Sequence, residues 1–124
     1  MDVGDTLLVQ SRKAWRSWLA LHHRTESEIW LITYKKGSAN KSLDYEPAVE
    51  EALCYGWVDG QIKSIDAERY ATRFSPRRPR SNWSDSNRAR VRRLVGAGKM
   101  TRAGIETLPA DLREELGLDA GRDP

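Results

Sequence analysis

The chain has 124 residues, 39% of them hydrophobic and 31% charged, which is enough for one domain with a real core and too little for two. It contains no run of about 18 apolar residues to insert in a membrane. Its start, Met1-Asp2-Val3-Gly4-Asp5, lacks the apolar stretch of a secretory signal, and its single Cys54 excludes an internal disulfide or a cysteine-based zinc site. These absences predict a cytoplasmic protein.

Ser11 is placed to cap a helix running to about Arg24, in which Trp15, Trp18, Leu19 and His22 recur on one face. Residues 28–36 read as a strand with apolar residues on both faces, as expected of one covered on both sides. After a loop over Lys36–Lys41, Asp44 and Pro47 open a second helix. Its buried stripe is Ala48, Val49, Ala52 and Leu53, and Gly56 stands ready as its C′ residue. The runs 57–64 and 69–75, separated by a turn around Asp66, form a hairpin. Pro76 and Pro79 then break an arginine-rich loop. Ser84 caps a third helix reaching about Ala97, with Asp85 complementing its N-terminal dipole and Gly98 ending it. Beyond Met100 the pattern weakens to a short helix at 110–116 and an acidic, partly flexible tail. The expected architecture is α+β, a small antiparallel sheet of about three strands packed with three main helices. The domain spans residues 1–104, followed by a C-terminal segment over 105–124.

The charge is unevenly spread. The net value is only +3, yet residues 69–102 hold eleven basic side chains and one acid, a local charge of +10, whereas the other 90 residues sum to −7. Such a block, with Tyr70 and Trp83 beside it, has the ingredients of a phosphate-binding surface with rings on which bases stack. Arg77, Arg78, Arg80, Arg90, Arg92 and Arg93 would then contact nucleic acid. The same arginines can instead pair with the protein's own acids, including Glu46, Glu50 and Glu51, and no RNA-recognition, zinc-finger or clear helix-turn-helix signature accompanies them.

A second candidate is the hairpin itself. On a period of two, Trp57, Asp59, Gln61 and Lys63 share one face and Val58, Gly60 and Ile62 the other. An indole, a carboxylate, an amide and an ammonium in one row suit a polar ligand, although an exposed face with a cross-strand ion pair presents the same row. Gly60 inside the strand permits a bulge or a close approach. Arg73 would face this row from the partner strand. Asn87 lies on the apolar stripe of the third helix with Val91, Leu94 and Val95, where it must find hydrogen-bond partners, either as a structural amide or beside Trp83 in a pocket. No catalytic constellation stands out: His22 sits on a tryptophan-rich stripe, Cys54 has no evident base, and adjacent histidines on a helix point about 100° apart and cannot chelate a metal together.

The segments Glu51-Ala52-Leu53-Cys54-Tyr55-Gly56-Trp57-Val58-Asp59-Gly60-Gln61-Ile62-Lys63-Ser64 and Arg73-Phe74-Ser75-Pro76-Arg77-Arg78-Pro79-Arg80-Ser81-Asn82-Trp83-Ser84, with Asn87, resemble the bacterial YdeI/OmpD-associated, or bacteriocin-protection, proteins. The resemblance extends from about Trp15 to Gly104. It implies a role in surviving envelope-directed stress or bacteriocins and carries no established reaction or catalytic residue. Members of that group commonly continue with a C-terminal region ending in a basic helix, whereas this chain stops at Pro124. The expectation is a non-enzymatic binding module without cofactor or metal, its partner a polar small molecule or a protein. Its ligand would sit on Trp57, Asp59, Gln61, Lys63, Arg73, Trp83 and Asn87, with nucleic-acid binding through the basic block as the alternative.

Overall fold

Ser11 caps the first helix as its position predicts: its Oγ accepts the Ala14 N–H at 3.1 Å, and α1 runs over Arg12–His22. The structure, a computed structural model, describes residues 4–79 and 81–118. Four strands, β1 (Thr6–Leu7), β2 (Ile29–Tyr34), β3 (Trp57–Ser64) and β4 (Arg69–Pro76), form one sheet in the order β1-β2-β4-β3. The α+β class is as expected, but the sheet is mixed and has a fourth strand, because β1 pairs parallel to β2. Two residues are too few to show an alternating pattern, so the sequence gives no sign of this strand.

The helices α2 (Tyr45–Cys54) and α3 (Asp85–Gly96) are followed by two short ones, α4 (Arg102–Ile105) and α5 (Ala110–Glu115). Trp15 and Leu19 of α1 and the Ala48, Val49, Ala52 and Leu53 stripe of α2 are buried against Ile29, Leu31, Trp57 and Phe74 of the sheet. Trp15 ties these layers together, donating its indole N–H to the Ala48 carbonyl at 2.9 Å and meeting Phe74 edge-on at 5.2 Å. A buried indole with its one donor satisfied anchors a core without polar cost. The opposite sheet face buries Trp30, Ile32 and Ala71 in a smaller cluster. β2 is thus covered on both sides, as its doubly apolar pattern requires.

The polar row expected along β3 is split by a bulge. Asp59 faces Phe74 and Ile62 faces Thr72, so three steps on β3 match two on β4. One extra residue reverses the alternation beyond it. Lys63 consequently lies opposite Ala71 and places its ammonium 5.7 Å from the Trp30 ring centroid, on the face away from Asp59. Ile62, on the apolar face of the expected alternation, is 58% exposed.

The segment after Met100 is docked tightly on the α2–β3 junction. Thr101 donates its N–H to the Cys54 carbonyl at 3.1 Å. A Cβ on Gly104 would collide with that same carbonyl and approach the Leu53 carbonyl oxygen to 2.7 Å, so α4 can lie here only because this residue is glycine. Gly56 ends α2 at φ +77°, as its predicted C′ role demands. Leu108 and Leu112 join the main core, which carries the packed unit beyond residue 104.

Candidate functional site

The residues singled out on the hairpin do not converge. Trp57 is fully buried, donates its indole N–H to the His23 carbonyl at 3.3 Å and meets Trp18 edge-on at 5.7 Å. It is a core residue and offers no wall to a ligand. Asp59 accepts a 2.8 Å hydrogen bond from the Tyr45 hydroxyl, whose pKa is pushed up to about 12 by burial and by the Asp59 carboxylate. Gln61 is exposed at the bulge. Arg73 shares the Lys63 face of the sheet and pairs with Glu28 at 2.5 Å. Asn87 is buried, and its Oδ1 accepts from Arg90 Nη1 at 2.8 Å, so the amide positions an arginine.

Most of the basic block is already matched by the protein's own acids. Arg90 is bidentate to Glu46 at 2.8 and 2.9 Å, Arg92 is bidentate to Glu115 at 2.7 and 3.0 Å, and Arg93 reaches Glu50 at 3.0 Å. Arg88 meets Asp111 at 3.0 Å. The Arg90 hydrogen bonds hold the Glu46 carboxyl below its usual range, and Arg92 does the same to Glu115. Arg80 lies outside the described residues.

A denser network surrounds Glu51, whose side chain is fully buried. Arg12 reaches its carboxylate at 3.0 Å and Arg16 at 2.9 Å, and Lys99 completes the set. Burial alone would raise this carboxyl, but hydrogen bonds from Lys99, Arg16 and Arg12 more than offset it, and the net shift is downward. Cys54, one turn along α2, is buried as well, and that burial pushes its thiol up. A thiol held protonated is a poor nucleophile.

Among the described residues, a cavity of about 540 Å³ lies between the loop after β4 and the C-terminal segment. Arg77, Arg78 and Trp83 line one side, Leu108, Pro109 and Arg113 the other. Among the described residues, no carboxylate lies within 4.0 Å of the three arginines. Arg77 is the most constrained of them. Its guanidinium lies 3.8 Å from the Trp83 ring centroid, and its Nη1 donates to Ser81 Oγ at 2.9 Å and to the Asn82 carbonyl at 3.1 Å. Its Nε is buried with no hydrogen-bond partner. Burial pushes its pKa down, and the charge of Asp59 only partly restores it. An unsatisfied buried donor on a cation is costly to the fold, and negative charge entering the cavity would offset that cost.

Of the residues expected to bind a ligand, Trp83 alone lines this cavity, and of those expected to bind nucleic acid, Arg77 and Arg78 do. Sequence reasoning missed Ser81, Thr107 and Arg113. Ser81 stands inside the second quoted motif, whereas Arg113 lies in a segment whose weak periodicity hides its docking.

The fold and the cavity define a small α+β domain with an arginine-lined pocket that its C-terminal segment walls on one side. Residues 7–107 match the family described as Domain of unknown function (DUF8412), and the chain belongs to that family. No curated protein and no solved structure matches it. No helix among the described residues is long and apolar enough to cross a membrane.

Proposed function

We propose that this chain is a non-enzymatic binding module, of the bacteriocin-protection type that its two motifs resemble, and that it holds an anionic small molecule in the Arg77–Trp83–Arg113 cavity. One observation carries the reading: the arginines along α3 are paired with carboxylates, whereas among the described residues none lies within ion-pair distance of the three around the cavity. Arginines that outnumber the carboxylates of a concavity and pair with none of them are arranged for an external anion. The raised Cys54 thiol supports binding over nucleophilic chemistry. Nucleic-acid binding through the basic block is less well supported, because Arg90, Arg92 and Arg93 would have to exchange carboxylates for phosphates.

Isothermal titration with pyrophosphate at low salt tests the reading. Saturable binding at one site is expected, weakened about tenfold in Arg113→Gln, since a charge-assisted hydrogen bond contributes roughly 1.5–3 kcal/mol. That variant should keep wild-type stability to within about 0.5 kcal/mol, because no ion pair is broken. Failure of pyrophosphate to bind, or equal binding by Arg113→Gln, would contradict the assignment. Tight, steeply salt-dependent binding of mixed-sequence RNA or DNA in its place would favour the nucleic-acid reading.

A further inference from the structure

Resting on that reading, we infer that the cavity takes a phosphomonoester dianion carried on a planar, largely apolar group. Three properties of the lining lead there. The first is size. At about 540 Å³ the space lies in the range of small organic ligands, roughly 300–1,000 Å³, and a bare inorganic anion would leave most of it empty.

The second is charge. Among the described lining residues, three guanidinium groups and the carboxylate of Glu106 leave two positive charges, and Glu106 is itself 3.6 Å from Arg102. The three arginines come from two separate segments, residues 77–78 after β4 and residue 113 on α5. A phosphate presents three oxygens in a pyramid and can be met from several directions, whereas a carboxylate presents two in a plane. The Ser81 hydroxyl, also in the lining, accepts from Arg77 and keeps its own proton to donate to one of those oxygens, whereas Thr107 gives its proton to the Gly104 carbonyl at 2.7 Å.

The third is shape. Away from the arginines, Pro79, Leu108, Pro109 and Ala110 make an apolar surface beside the Trp83 indole. Arg77 over the ring face turns indole and guanidinium into one rigid wall. Flat apolar groups lose little conformational freedom against such a wall, and rings gain from offset or edge contact with it.

Calorimetric titration of the intact protein with naphthyl phosphate, naphthyl methyl phosphate and inorganic phosphate separates these contributions. Naphthyl phosphate should bind about tenfold or more tightly than either of the others, one of which lacks a charge and the other the ring. Trp83→Leu should remove most of the advantage over inorganic phosphate. Arg78→Gln should weaken naphthyl phosphate by about tenfold, with the thermal unfolding of both variants recorded to confirm that they are folded. Equal affinity for inorganic and naphthyl phosphate would overturn the planar-ligand inference while leaving anion binding intact. Equal affinity for the ester and its methylated form would overturn the dianion. Failure of all three to bind, with pyrophosphate also silent, would remove the inference and the reading beneath it together. An oligonucleotide with a terminal phosphate that outcompetes naphthyl phosphate would overturn the small-molecule assignment.

Discussion

Glu51 and the cavity beside Trp83 each gather three cationic side chains, and among the described residues only the first holds a carboxylate in ion-pair contact with them. Around Glu51, Arg12, Arg16 and Lys99 converge on a side chain with no exposed surface and tie α1, α2 and the residue-99 turn into one network. Around the cavity, Arg77, Arg78 and Arg113 converge on space. The residue types are nearly the same, so composition cannot distinguish a structural cluster from a binding cluster. Pairing distinguishes them: a satisfied cluster stabilises the fold and has little left to offer a ligand, while an unsatisfied one costs stability and gains from an anion.

The contrast breaks most visibly at Glu51. Glu51→Gln leaves three cations around a neutral amide and should cost about 3 kcal/mol, near the lower end of the usual range for breaking a buried pair because the cations are themselves partly exposed. Denaturant unfolding measures this, and a loss comparable to the small change expected for Arg113→Gln would erase the distinction. Acid should act in the same place. The Glu51 carboxyl is held below its ordinary 4.5 in the folded protein, so its contribution is fully present above that value and disappears as pH falls through the lower, folded one. Glu28, held down by Arg73, and Glu46, held down by Arg90, shift in the same direction. Stability should therefore be level near neutrality and fall below the carboxylate range, and the fall should be shallower in Glu51→Gln.

A smaller effect tests how the cavity is closed. Gly104→Ala puts a Cβ against the Cys54 carbonyl, backbone that cannot swing aside. Overpacking of this kind costs about 1–3 kcal/mol, and relief comes only by moving α4 and the wall that continues into Leu108 and Arg113. Both the unfolding midpoint and the affinity for a cavity anion should drop. A fall in stability with unchanged affinity would show that the docking of α4 does not shape the cavity.

The regular elements were legible because their residues repeat. Trp15 and Leu19 announce the buried face of α1, Ser11 and Ser84 announce caps that both form, and the doubly apolar β2 announces a strand buried on two sides. The candidate site was not legible in the same way. A row of alternating residues on β3 is a reliable face only while the register holds, and the bulge between Asp59 and Ile62 sends Lys63 to the other side. The basic block pointed to Arg77 and Arg78 as nucleic-acid contacts and Trp83 was expected at a ligand, and all three line the cavity. Their partners Thr107 and Arg113 come from a segment fixed by long-range contacts, Gly104 against the Leu53 and Cys54 carbonyls and Ala103 and Thr107 against Gly56, which no local pattern encodes. The acidic remainder of the chain made internal pairing of the arginine block with Glu46, Glu50 and Glu51 one of two open readings; Arg90 and Arg93 of α3 do pair with Glu46 and Glu50, whereas Arg77 and Arg78 of the loop have no carboxylate partner among the described residues.

The most direct measurement supplies the cavity arginines with a paired carboxylate. Ser81 already sits 2.9 Å from Arg77 Nη1, so Ser81→Asp places a fixed negative charge against that guanidinium, with Ser81→Asn as the uncharged control. If the unpaired arginines are held ready for an anion, Ser81→Asp should raise stability by up to about 1 kcal/mol, the scale of a partly exposed ion pair, and weaken pyrophosphate binding by about tenfold. Ser81→Asn should do neither. An aspartate that binds pyrophosphate as the wild type does, or that destabilises the protein as much as the asparagine, would contradict the claim that this cluster waits for an external charge.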